Sequence, residues 1–153
     1  MEPHQPSRPA DRSDWTIHPL PQERTTIGFN RSFHEEELAF VRLGSIPEQM
    51  EDKWFVYFAD NQLFFHRSWT GHCIYVAHFR ATDDGALLVS ADINRDREQY
   101  SATDDALDGQ RLLYLIDALL LGREGDVPGD PDNPLKLWTV VGRLMLGQRP
   151  GDR

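Results

Sequence analysis

Between Lys53 and Ile93 the chain repeats one pattern four times, and little else in it so restricts the fold. Strand-like runs stand at 53–59 (KWFVYFA), 63–68 (LFFHRS), 72–80 (HCIYVAHFR) and 86–93 (ALLVSADI). They are rich in aromatic and β-branched residues, as strands are. The joints between them are short and carry turn chemistry. Asp60-Asn61 suits a two-residue hairpin, because both residues tolerate positive φ. Trp69-Thr70-Gly71 ends on a glycine that permits a left-handed step. Thr82-Asp83-Asp84-Gly85 is a strong turn signal. Joints this short leave room only for antiparallel neighbours, so the pattern predicts a four-stranded antiparallel meander. In the fourth strand, regular alternation would put Leu87, Val89, Ala91 and Ile93 on one face and Leu88, Ser90 and Asp92 on the other.

The flanks read as helix, which makes the expected class α+β. A short N-terminal helix is expected from about Phe33 to Leu43, capped by Ser32, loaded with Glu35 to Glu37 in its first turn and ended by Gly44. A helix from about Asp105 to Leu121, capped by Thr103 or Asp104, carries leucines on more than one stripe and should be largely buried. A last helix is expected from Asn133-Pro134 to Leu146. Residues 1–13 and 148–153 read as polar tails, the first of them disordered, around a single domain at 14–147. Residues 14–31 read as an extended segment laid on that domain.

The 153 residues are enough to bury a core without disulfides or metal. The formal charge of −9 disfavours sequence-independent nucleic-acid binding and attraction to anionic membranes. No apolar stretch reaches the length of a membrane span, and a cytoplasmic location is the expectation. Two lysines stand against fourteen arginines, a side chain suited to bidentate pairing with carboxylates and phosphates. The one cysteine, Cys73, lies in an apolar run and reads as a buried thiol.

In a meander, alternate strand ends meet. One end of the sheet should gather Asp52, Lys53 and Trp54, then Arg67 to His72, then Asn94, Arg95 and Asp96. The helix starting near Asp104 would begin close by, and a helix N-terminus receives anions. Arg67 and Arg95 would hold phosphate there, with Lys53 adding positive charge, Trp69 and Trp54 as stacking walls and Ser68 and Thr70 as further ligand contacts; Asn94 and Asp96 would orient Arg67 or the ligand, and Gln99 and Tyr100 would close over it. The alternative is structural, with Asp52, Asp96, Asp104 and Asp105 neutralising the arginines and the tryptophans lying in the core. His66 titrates near neutrality, and with Asp96 it is the candidate for proton transfer if the site is catalytic. Ser68 shares its face of the strand, but no nucleophile elbow supports acyl chemistry. Asp96 with Asp104 or Asp105 could form a carboxylate pair. Carboxylates alternating with arginines more commonly make salt bridges, so no metal site is assigned, and no pattern names a cofactor.

The segments Glu51-Asp52-Lys53-Trp54-Phe55, Phe65-His66-Arg67-Ser68-Trp69-Thr70-Gly71, Asn94-Arg95-Asp96 with Gln99-Tyr100, Thr103-Asp104-Asp105 and Leu119-Leu120-Leu121-Gly122 resemble, in the same order, a family of small bacterial proteins of uncharacterised function. The resemblance covers roughly residues 32–122. It implies a link to ADP-ribose-related domains and no particular activity. The resulting expectation is a small-ligand-binding domain or enzyme that recognises a phosphate-bearing nucleotide or ADP-ribose-like molecule at one end of the sheet. The alternative is a protein-interaction module of the immunity, antitoxin or accessory kind, whose acidic charge meets a basic partner.

Overall fold

The computed structural model describes residues 8–123. The expected loop at 123–133, last helix and C-terminal tail lie almost wholly outside that range. The described chain is α+β, built on an antiparallel sheet of five strands rather than four. They are β1 (Arg24–His34), β2 (Trp54–Ala59), β3 (Gln62–Arg67), β4 (Cys73–Thr82) and β5 (Gly85–Asn94), in spatial order β1-β5-β4-β3-β2. The meander lies where its turn residues put it. Asp60 and Asn61 take φ of 53° and 60°, and Gly71 takes 79°.

The fifth strand comes from the segment expected merely to lie on the domain. Residues 24–34 alternate strictly, with Thr25, Ile27, Phe29, Arg31 and Phe33 more enclosed than their neighbours. That pattern lets β1 pair with β5, from Arg24↔Asn94 to His34↔Gly85. Ser32 therefore sits in a strand and caps nothing. Helix α1 (Glu35–Leu43) starts two residues later than expected, with the His34 N–H donating to Glu37 Oε1 at 2.8 Å. Three glutamates in its first turn face the positive end of the helix dipole.

Regular alternation fails in β5. The ladder runs His78↔Ser90 and then Phe79↔Leu88, leaving Val89 as an extra residue, and β1 is irregular at the same level. This bulge flips the parity, so Leu88 joins Ala91 and Ile93 in one buried cluster while Leu87 and Val89 are only half-buried.

The sheet has two covered faces. On one, α1 and α2 (Asp105–Leu115) pack Leu38, Val41, Leu112 and Leu115 onto Val56, Leu63, Phe65 and Ala77. Beyond α2 the helix widens into a π turn, Ile116–Leu120, closed by Leu121 N–H to the Ile116 carbonyl at 3.1 Å, where a continuous helix was expected. Asp117 of that turn takes the Arg31 guanidinium in a two-pronged ion pair, 2.6 and 3.2 Å, tying the helix layer to the edge strand. On the other face the N-terminal segment covers β2 and β3. Trp15 stacks on Phe55 at 5.9 Å, and Ala10 is buried with its N–H on the Leu43 carbonyl. Residues 8–13, expected as tail, thus make ordered contacts, including a single 3-10 turn at Arg12–Asp14.

Gly85 sits where β1 presses close on the meander, since a Cβ there would collide with the Phe33 carbonyl oxygen. Gly85→Ala should lower stability by about 1–3 kcal/mol, as overpacking does. Gly28→Ala should be close to neutral, because nothing lies within 4 Å of its added carbon. Chemical denaturation of the two variants measures the contrast.

Candidate functional site

The strand ends meet as expected. Trp54 pairs with Arg67, His66 with Cys73, and Asn94 with Arg24, so Lys53, Arg67 and Arg95 do share one end of the sheet. The pleat then divides them. Along β3, Leu63, Phe65 and Arg67 turn toward the helices, while Phe64 and His66 turn toward the N-terminal layer. His66 and Arg67 therefore belong to opposite faces and cannot serve one site.

On the helix face, Arg67 stands over two rings, 5.0 Å from the Trp54 centroid and 5.9 Å from that of Tyr100. Its Nε is buried and has no hydrogen-bond partner among the described residues. Trp54 is no open stacking wall. It is buried, stacked on Tyr75 at 5.8 Å and set edge-on to Phe65. Arg95 is already committed. It meets Asp105 at 2.6 Å and Asp108 at 2.8 Å, and donates to the Ala102 carbonyl at 3.0 Å. Burial works against its charge, but the hydrogen bonds it donates to Asp105 and Asp108 outweigh burial and leave the guanidinium above its ordinary pKa. The start of α2 is equally occupied. Asp104 caps it by accepting from Leu107 N–H, and Asp105 and Asp108 fill the first turn. A second anion is poorly matched to a terminus that already holds three carboxylates.

The loop after β5 builds structure. Asn94 is fully buried. Its amide donates to the Cys73 carbonyl and to Gln99 Oε1, and its Oδ1 accepts from Asp96 N–H at 2.8 Å. Asp96 accepts from Glu98 N–H at 3.0 Å, a turn-forming role. The residues expected to orient a ligand thus orient one another.

Asp108, which the sequence reading passed over, holds the helix layer to the sheet. It is fully buried, and its Oδ1 accepts from the hydroxyls of Tyr100 and Tyr75, the latter at 3.1 Å. Burial first holds both phenols above their ordinary pKa; Tyr100 and Asp108 add to it at Tyr75, and Asp108 adds to it at Tyr100, where the bond to Tyr75 works the other way. A signal was there. Asp108 lies four and seven residues before Leu112 and Leu115, on the buried stripe of α2.

On the opposite face, His66 is buried. Its Nδ1 lies 2.9 Å from the Gly71 carbonyl, which can only accept, so the proton sits on Nδ1. Nε2 is buried and has no hydrogen-bond partner among the described residues. Burial, reinforced by His18 and Arg12, holds the imidazole below its ordinary pKa despite the Gly71 bond. Cys73 is a buried thiol, pushed up to about 12 by desolvation. Ser68 Oγ donates to the Asp52 carbonyl, and the Trp15 indole donates to the Ser68 carbonyl. Thr70 accepts from His72 N–H. Trp69 is 66% exposed, with Lys53 Nζ 4.2 Å from its ring centroid. Together with Trp15 and Asp14 it walls an open cleft of about 510 Å³.

Among the described residues, no group of three or more His, Cys, Asp or Glu is placed to hold a metal ion, and no helix is long and apolar enough to cross a membrane. No family model, curated protein or solved structure matches the chain.

Asp108→Ala removes one of the two carboxylates of Arg95 and the buried carboxylate that two phenols share. It should cost about 3–5 kcal/mol, the usual penalty for breaking a buried pair, read from urea denaturation. His66 binds its proton less readily folded than unfolded. Its stabilising contribution is complete above the ordinary value of 6.5 and is lost as pH falls below it toward the folded pKa. Unfolding free energy measured between about pH 7 and pH 5 should fall less steeply in His66→Gln than in the natural chain.

Proposed function

We propose that the chain is a small-ligand-binding domain that takes a phosphate-bearing molecule, of the nucleotide or ADP-ribose-like class, at the sheet end where Arg67 stands. One observation carries this reading. Each of the other partly buried arginines meets a carboxylate: Arg31 at Asp117, Arg95 at Asp105 and Asp108, and Arg111 at Asp108. Arg67, in a chain of formal charge −9, makes no ion pair among the described residues. A guanidinium held between two rings is already oriented, so an arriving phosphate meets a fixed fork with little ordering left to do. The support comes from Arg67 alone. Arg95 and the start of α2 are satisfied by carboxylates, and neither Asp96 nor His66 stands where a step of proton transfer could be assigned.

A second reading, a protein-interaction module, has its own support. Trp69 and Met50 are 66% and 71% exposed, and the Trp69 indole donates to the Met50 carbonyl, so the two lie side by side. Aromatic residues and methionine are enriched where proteins bind proteins.

Thermal shift with ADP-ribose, AMP and ADP separates the two. A ligand at about 100 times its Kd should add about 2.7 kcal/mol to the native state and raise Tm accordingly. Arg67→Ala should abolish that rise while the free variant still melts cooperatively. Equal shifts in variant and natural chain would remove Arg67 from the reading, and no shift with any of the three would favour the interaction module.

A further inference from the structure

The sheet has two edges, and the chain treats them differently. The β2 edge is closed at its middle. Ser45, on the segment after α1, exchanges backbone hydrogen bonds with Val56 in both directions, each 2.9 Å. The β1 edge has no such cover. Arg95 N–H donates to the Glu23 carbonyl and Glu35 N–H to the Asp84 carbonyl, and these two bonds fix the phase of the β1–β5 ladder. Thr25, Ile27, Arg31 and Phe33 therefore turn their backbone groups toward β5. Arg24, Thr26, Gly28 and Ser32 turn theirs outward, where they meet no backbone partner among the described residues.

An open edge is a template for another strand, and folds ordinarily blunt it with proline, lysine or a bulge. Strand β1 holds neither proline nor lysine. Its bulge, between Gly28 and Arg31, divides the edge and leaves Arg24-Thr25-Thr26-Ile27-Gly28 as an uninterrupted run. That run is complementary to itself. Set antiparallel about a two-fold axis through Thr26, it brings Thr26 opposite Thr26, Thr25 opposite Ile27 and Arg24 opposite Gly28. The first two pairings join β-branched side chains, which stabilise neighbouring strands. Ile27, only partly buried on the helix face, would gain cover. No two like charges stand opposite each other. The run carries no carboxylate in a chain of formal charge −9, and Glu23 before it falls opposite Phe29.

We infer that the β1 edge binds a second copy of this chain, run Arg24–Gly28 against the same run, joining two five-stranded sheets into one. A two-fold contact uses the same patch on both copies and closes on itself. The far edge of each copy is held by Ser45, so assembly stops at two chains. The contact uses neither Arg67 nor the Trp69 cleft, so it stands apart from both readings of function.

Sedimentation velocity of the full chain over a concentration series, with amide hydrogen exchange read residue by residue by NMR, tests the dimer. The mass should rise from one chain to two and no further. The Thr26 and Gly28 amides, open in the dilute chain, should exchange at least about tenfold more slowly as the dimer forms. Thr26→Pro removes the central outward donor and no bond to β5, and should weaken dimerisation at least about tenfold. Thr26→Lys keeps the donor but sets two lysines face to face. It should weaken dimerisation as well, and it decides the matter if the proline variant fails to fold. Trp69→Ala should leave the dimer as it is. A single chain at every concentration up to about 1 mM overturns the proposal. So does a dimer whose Thr26 and Gly28 amides exchange as fast as in the dilute chain, or one that neither Thr26 variant weakens. Slowing of the two amides by an added strand-forming peptide of unrelated sequence, with no dimer, assigns the edge to another partner and overturns the second copy.

Discussion

The two-residue period of the β-strand is the constraint on which the rest of this structure depends. The strands β2, β3 and β4 are buried on both faces over most of their length, so each must send large side chains alternately into two different environments. A sheet with two apolar faces needs two covers. The helices provide one and the N-terminal segment the other, which is why residues as early as Ala10 are drawn into the fold. The same alternation separates neighbours in sequence by the whole thickness of the sheet. His66 ends in an aromatic cluster with Phe55 and Tyr57, while Arg67 ends over Trp54 and Tyr100.

Charge is distributed by the same geometry. Three arginines of the described chain hold layers together. Arg31 joins β1 to the π turn, Arg95 joins the loop after β5 to α2, and Arg123 reaches back to Glu37 of α1. Asp108 lies at the centre of this economy, because it gathers two tyrosines and two arginines at a fully buried carboxylate. A buried carboxylate is tolerable only when its neighbours compensate its lost hydration. The consequence for function is direct: a cation already engaged in holding the fold offers little to a ligand, and attention falls on Arg67, which makes no ion pair among the described residues.

Some of this was legible before any coordinates. The four runs and their turn residues place β2 to β5 and the sharing of one sheet end by Lys53, Arg67 and Arg95, because hairpin turns act over a few residues and strand direction follows from them. The edge strand was missed because the alternation of 24–34 is built from threonine, glycine and asparagine as much as from apolar residues, and its partner β5 lies some sixty positions away. The parity of β5 was misread because a bulge leaves no mark in a run such as ALLVSADI; it is set by how β4 and β1 take up their register on either side. The partners of Arg95 were partly foreseeable, since Asp105 had been weighed as one, whereas Asp108 had not.

What the sequence determined by itself is therefore local in its physics. Turn chemistry settled the meander, the period of the apolar residues settled strand against helix, and the capping pair Thr103-Asp104 settled to within a residue where α2 begins. Tertiary structure decided which face each side chain occupies relative to its neighbours' partners, and so which charges are used up. Arg67 and Arg95 are the same residue type at the same end of the sheet. Among the described residues one is paired and the other is not, because Asp108 comes from a helix that packs on the sheet only through its whole buried stripe. Pairing of that kind depends on long-range packing, and no window of sequence contains it.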